Sequence, residues 1–315
     1  MRYSVVFPGQ GAQEVGMGKD FRDSFVSARE VFERADAALN FPLSRIIFEG
    51  PDEELKKTEF AQPAILTMSM AVFRSLEIDE GISFQPAHVA GHSLGEYTAL
   101  VASGTLSLED GVRLVHRRGK LMQEAVPLGK GSMAAIIGLE RGKVLAMCEA
   151  ASSLGVCQAA NFNAPGQIVI SGDTEAVDKA VSLCREAGAK RALPLKVSAP
   201  FHCSLMRPVA NRLRESFPDC SWNSPRWPLI ANVSARTEND VSSIQDALFQ
   251  QTYMPVLWAD SIEYMMSQGV GRFLEIGPGT VLSGLIKRID PQAQCFSVNA
   301  SDSISGAIDF LKGGQ

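Results

Sequence analysis

Residues 89–102 read VAGHSLGEYTALVA, and the central five, Gly91-His92-Ser93-Leu94-Gly95, fit the pattern G-x-S-x-G. A short apolar run of β type ends at the first glycine, and an alanine-rich helical run follows the serine. The spacing therefore predicts a strand that turns sharply into a helix. Glycines on both sides leave out the Cβ atoms that would obstruct so tight a turn. The turn lifts Ser93 Oγ above the carboxyl edge of a sheet. It also aims the N–H of Leu94, at the helix start, at the place where an oxyanion would form. Serine is a favoured helix N-cap as well. The strand–turn–helix setting weighs for the nucleophile over the cap.

A serine hydroxyl needs a base to act. The chain has four histidines, at 88, 92, 116 and 202. His88 and His92 are four apart, but Gly91 and the strand pattern keep them off a shared helical face, which argues against a zinc pair there. His116 falls inside an amphipathic helix and reads as structural. His202, in the loop SAPFHCSLM, is left by elimination. No acid occupies an obvious orienting position, so a Ser–His dyad held by a backbone carbonyl fits at least as well as a full triad. Cys203 reads as buried packing rather than a thiolate nucleophile.

The pattern around this turn alternates strands and helices. YSVVFPG reads as a buried strand, FVSAREVFERADAAL and AILTMSMAVFRSL as amphipathic helices, and LGEYTALVASG as a helix stopped by Gly104. SLED at 107–110 is a capping box, with Ser107 as the cap of a helix running towards Pro127. From about 130 to 197 the order becomes βαββαβ, the split-βαβ or ferredoxin-like arrangement, read as an inserted small domain. Beyond Ala199, strands in WPLIANVS, GRFLEIGPG and AQCFSVN alternate with three helices, which implies a mostly parallel sheet covered on both faces. The expected division is a large domain of 1–128 and 198–315 with a small domain of 129–197.

Arg118 stands out on the helix that begins at Ser107. Arg113, Arg117, Lys120 and Glu124 form a solvated face, whereas the neighbours of Arg118 at helical spacing are Leu114, Val115, Leu121 and Met122. A guanidinium on a buried stripe needs an anion. An acid elsewhere in the fold, a snorkelling stem and bidentate capture of a substrate carboxylate all satisfy that need.

A length of 315 residues with 45% hydrophobic and 21% charged content supplies a sizeable core. The net charge of −5 and the lack of any basic run argue against nucleic acid as a partner. The pairs Lys190/Arg191 and Lys287/Arg288 can meet anions, although such pairs are usually just solvated surface. Six cysteines without a C-x-x-C pair, an N-terminal apolar run cut off by Pro8, and no bilayer-length apolar stretch suggest a cytoplasmic protein without membrane contact. A monomer is expected. GQGAQEVGMG is no dinucleotide fingerprint, because the third glycine position holds Glu14.

Six blocks occur together and in order: FPGQGAQ (7–13), GHSLGEY (91–97), RGKLMQEAVP (118–127), NFNAPGQIVISG (161–172), APFH (199–202) and EIGPGTVL (275–282). This set closely resembles the malonyl-CoA:acyl-carrier-protein transacylases and the related acyltransferase domains of fatty-acid and polyketide synthases. The resemblance implies an α/β-hydrolase-like large domain, a ferredoxin-like small domain and a site in the cleft between them. It implies Ser93 as nucleophile and His202 as base. Backbone N–H groups of Gln10 and Leu94 would form the oxyanion hole, and Arg118 would hold the malonyl carboxylate. The main-chain carbonyl of Gln251 would orient the histidine, although Met254 stands where relatives often have asparagine.

Phe201 and Leu94 resemble the malonyl-selective pattern, Phe201 filling the space that an α-methyl branch needs. The partners implied are malonyl-CoA and an acyl carrier protein bearing phosphopantetheine, with no metal and no cofactor of the enzyme's own. Asn161 and Gln167 would touch the pantetheine arm, and Lys190 and Arg191 the phosphates or the acidic carrier. A hydrolase using water on the same dyad and a non-catalytic carrier-binding protein are the competing readings. The choice between fatty-acid and polyketide carriers stays open.

Overall fold

The computed structural model describes residues 2–127, 129–195, 197 and 199–313. Its strands are β1 (Arg2–Phe7), β2 (Val89–Gly91), β3 (Gly131–Ile137), β4 (Cys157–Ala164), β5 (Gln167–Asp173), β6 (Arg191–Pro194), β7 (Leu229–Ile230), β8 (Thr237–Glu238), β9 (Val270–Ile276) and β10 (Gln294–Val298). Six of them form one sheet in the order β10-β9-β1-β2-β7-β8, parallel throughout except where β8 turns back on β7.

Alternation along β1 feeds two cores. Val5 and Phe7 join the larger cluster on one face, while Val6 joins a second cluster around Trp258 and Phe273 on the other. A strand apolar on both faces needs helices on both, which is how a parallel sheet is covered. The helix Thr58–Arg74 lies deep in the larger cluster with 14 of its 17 residues buried. The amphipathic face expected for 64–76 is therefore a correction. This helix packs between the helices Val26–Leu39, Leu94–Ala102 and Leu108–Glu124, so little of it meets water. Its polar Gln62, Thr67 and Ser69 are buried as well.

The remaining strands make a separate antiparallel sheet in the order β4-β5-β3-β6. The helices Arg141–Ala151 and Thr174–Glu186 bury Val144, Cys148, Val177 and Val181 against it in a core of their own. Residues 1, 128, 198 and 315, which bound the expected domains, lie outside the described residues. The strand expected over 191–197 ends at Pro194, and its Lys196 also lies outside them.

Two backbone bonds tie β4 to the segment that leads into the helix Trp258–Ser267: Val256 N–H donates to Ala160 O at 2.8 Å, and Phe162 N–H to Val256 O at 2.9 Å. The strand expected over 227–234 pairs only at Leu229–Ile230. After those two residues the chain bends, with Ala235 at a φ of 52°, and the bend frees Asn232 for another task. β1 and β2 end side by side at the carboxyl edge, where ligands of parallel sheets bind.

Candidate active site

β2 runs straight into the helix Leu94–Ala102, and the backbones approach too closely for side chains at the two glycines. A Cβ on Gly91 would lie 1.9 Å from the carbonyl carbon of Gly95, and one on Gly95 would lie 2.1 Å from Phe7 O. Ser93 between them takes φ 53° and ψ −106°, a strained conformation for a residue with a side chain. It precedes the first helical residue, but its side chain makes no capping bond. By contrast Ser107 does cap its helix, accepting from Asp110 N–H at 3.0 Å.

The freed hydroxyl meets His202, 109 positions on, with Oγ 2.7 Å from Nε2. His202 also has a positive φ, 57°, so both partners stand on strained backbone. Its Nδ1 lies 2.8 Å from Gln251 O. A carbonyl only accepts, so Nδ1 carries the proton and Nε2 is left to accept from Ser93 Oγ. Burial drives the His202 pKa down to about 3; the Arg118 guanidinium and His92 push the same way, against the carbonyl bonds to Gln251 and Met254. The imidazole is neutral at pH 7.

Arg118 closes the group. It is 1% exposed, and its Nη2 lies 3.2 Å from Ser93 Oγ. Nη1 donates to Gln62 Oε1 at 2.8 Å and Nη2 to Gln251 Oε1 at 2.9 Å. No ion pair joins it to a carboxylate among the described residues, so of the three partners open to it, neither an acid nor a snorkelling stem supplies one. Its hydrogen bonds run to neutral amides and the serine hydroxyl, and the ring of Tyr97 lies 5.3 Å from its guanidinium carbon. That arrangement leaves a buried positive charge ready for an incoming anion.

A cavity of about 420 Å³ opens over these groups. Ser93, Arg118, His202, Gln10, Phe201 and Asn161 line it, and so do Gln62, Met122 and Met133. Leu94 is buried as the first residue of its helix, where N–H groups have no intrahelical carbonyl to bond. The side chain of Gln10 donates to Thr58 Oγ1 at 3.2 Å, on the loop that follows β1.

Gln167 lies apart from the dyad. It lines an adjoining cavity of about 300 Å³ that shares Gln10, His92 and Asn161 with the first. Lys190 and Arg191 line neither cavity; the aliphatic stem of Lys190 packs over Gly138. Lys287 and Arg288 sit in the last turn of the helix Val281–Ile289, where cations suit the helix dipole. His92 bonds to Asn163 Oδ1 at 2.8 Å, and His116 packs against Phe41 and Phe60. Cys203 is fully buried, and burial pushes its thiol up to about 11. All six cysteines are free.

Sequence reasoning missed three residues that the structure brings in. Gln62 holds Arg118 from the buried helix. Asn232 Oδ1 accepts from Ser93 N–H at 2.8 Å, and Glu96 is buried behind the dyad. A large polar side chain within a largely apolar helical run is the signal that could have flagged Gln62 and Glu96.

Residues 4–299 match the family of acyl transferase domains. The malonyl CoA-acyl carrier protein transacylase of Escherichia coli strain K12 is 47% identical over 309 residues, which covers 98% of this chain and 99% of that protein. The crystal structure of the acyl-carrier-protein-S-malonyltransferase of Bartonella henselae superposes with a TM-score of 0.97 at 47% identity, covering 99% of this chain and all 100% of that one. A malonyl-transacylase solved in complex with the holo acyl-carrier protein of a type II polyketide synthase gives a TM-score of 0.94 at 42% identity, covering 99% and 100%.

Proposed function

The chain belongs to the acyl transferase domain family, as a malonyl CoA-acyl carrier protein transacylase, and we infer from its cleft how the transfer runs. The enzyme moves a malonyl group from malonyl-CoA to the phosphopantetheine thiol of an acyl carrier protein. It does so in two half-reactions through an ester on Ser93, supplying fatty-acid or polyketide chain extension. The observation that carries this reading is one shared atom. Ser93 Oγ is 2.7 Å from the bare Nε2 of His202 and 3.2 Å from the unpaired guanidinium of Arg118.

In the first half-reaction Nε2 takes the Oγ proton as Oγ bonds to the thioester carbonyl carbon. The carbonyl π pair moves onto oxygen, and the N–H groups of Gln10 and Leu94 receive the charge. Collapse breaks the C–S bond, and the imidazolium returns the proton to the leaving coenzyme A thiolate. The carrier thiol then gives its proton to Nε2 and attacks the ester carbonyl. Ser93 leaves as the alcohol, reprotonated by His202. Arg118 grips the free malonyl carboxylate throughout and so selects and positions the acyl group. Phe201 walls the side where a methyl branch would sit.

The thioester brings its own activation, so the steps call for no cofactor. Asn161 touches both cavities and Gln167 the second, which supports a path for the pantetheine arm from one to the other. We read 129–197 as a ferredoxin-like domain set into an α/β-hydrolase-like one; the order β4-β5-β3-β6 supports it. One chain holds every group that the steps use, which supports a monomer. Six free cysteines suit a reducing compartment, and we place the reaction in the cytoplasm.

The test separates transfer from hydrolysis. Malonylated enzyme is freed of malonyl-CoA and mixed with holo carrier protein or with buffer. Transfer predicts an ester that persists in buffer and moves to the carrier thiol. Equal release of free malonate in both arms would mark a hydrolase.

A further inference from the structure

Glu96 is wholly buried in the first turn of the helix that Ser93 opens. A carboxyl taken out of water needs donors. Oε2 has two, the backbone N–H of Asn232 at 3.0 Å and Nε2 of Gln251 at 3.1 Å, while Oε1 has no hydrogen-bond partner among the described residues. Burial pushes its pKa up to about 7, against those two donors and the Arg118 guanidinium. None of the reaction steps uses this carboxyl, and an apolar residue would fill the space without the cost of desolvation.

Its two donors lead to all three reacting groups. Asn232 Oδ1 accepts from Ser93 N–H at 2.8 Å and its Nδ2 donates to Gly91 O at 2.7 Å, so one amide clamps both arms of the strained turn. Gln251 serves His202 with its main-chain carbonyl and Arg118 with Oε1, while its Nε2 also donates to Ser93 O at 2.7 Å. An amide side chain could sit with oxygen and nitrogen exchanged. The two acceptors on that side, Glu96 Oε2 and Ser93 O, admit only the N–H end, which leaves Oε1 for the guanidinium. The exchanged amide would set donor against donor at Arg118.

We propose that Glu96 is a positioning residue: by holding Gln251 and Asn232 through one buried oxygen, it aligns nucleophile, base and carboxylate-binding cation together. The proposal rests on the transfer reaction inferred above.

Three variants test it by single-turnover malonylation of Ser93, with the malonyl-to-acetyl rate ratio and thermal unfolding read alongside. Glu96→Met keeps the length and removes the acceptor; Glu96→Gln restores an acceptor oxygen without the charge. Misaligned groups should cost Glu96→Met on the order of 10–100-fold in malonylation rate and lower its malonyl-to-acetyl ratio. Glu96→Gln should recover most of both. Glu96→Asp withdraws the oxygen by one methylene and should show the same two losses, which keeps the test open if the methionine variant does not fold. Wild-type rates and ratios in folded Glu96→Met or Glu96→Asp would overturn the proposal. So would slower acylation with an unchanged ratio that Glu96→Gln does not restore. A wild-type protein that forms no ester at all would instead overturn the transfer reaction itself.

Discussion

His202 Nδ1 donates to the main-chain carbonyl of Gln251 at 2.8 Å, and that one bond decides which nitrogen faces the serine. The ring is held in the tautomer that accepts from Ser93 Oγ, and burial keeps it from charging until pH falls to about 3. The rate of Ser93 malonylation should therefore pass through the ordinary histidine pKa near 6.5 without falling. The acid limb should begin at least about one unit lower, and a limb centred at 6.5 would contradict this account.

Stability should carry the same signature. The unfolded chain protonates His202 near 6.5, whereas the folded chain refuses that proton until about 3. The contribution is present above pH 6.5 and lost as pH falls towards 3. Glu96, raised to about 7, acts in the opposite direction between the ordinary glutamate range and neutrality. Both terms are separated by comparing wild type with His202→Gln, since Glu96 is common to the two. Urea unfolding at pH 7 and pH 5 should show the wild type losing more stability than the variant on acidification.

The strain at Ser93 gives a prediction that looks away from chemistry. With φ at 53° and ψ at −106°, the position suits glycine. Ser93→Gly and Ser93→Ala both lose the hydroxyl, yet Ser93→Gly should be the more stable by about 1 kcal/mol in urea unfolding. Equal midpoints would mean that the turn stores no strain.

Arg118→Ala should lose the charge-assisted grip on the malonyl carboxylate, worth roughly 1.5–3 kcal/mol. Malonylation should slow about 10–150-fold while acetylation from acetyl-CoA changes far less. Rates measured side by side check this, and unchanged selectivity would remove the carboxylate clamp.

Phe201 is 9% exposed and lines the cavity beside His202. Phe201→Ala should raise the methylmalonyl rate relative to malonyl by about tenfold, within the 1–3 kcal/mol that one methyl group commands. A competition between the two thioesters checks it; no change would place the methyl elsewhere.

The features legible in the sequence were those carried by short-range pattern. G-x-S-x-G between a strand and a helix marked Ser93, and an arginine on an apolar stripe marked Arg118. The change to βαββαβ order was readable from period alone. What stayed hidden depended on distant pairings. Asn232 sits in an apolar run that reads as a buried strand, and only a backbone bend after Ile230 turns it to Ser93, 139 positions away. Gln62 and Glu96 lie on helices whose burial follows from packing among their neighbours rather than from any periodic face. The cavity walls from Met122 and Met133 come from runs that look like ordinary core. Lys190 and Arg191 line neither cavity, so any meeting with phosphates or the carrier would take place on the surface outside them.

The most direct measurement is the intact mass of the protein after brief exposure to malonyl-CoA, followed by mapping of the modified peptide. A single malonyl ester should appear on the peptide carrying Ser93, absent in Ser93→Ala and formed far more slowly in His202→Gln. An unmodified wild-type chain, or an ester that survives the loss of Ser93, would contradict it.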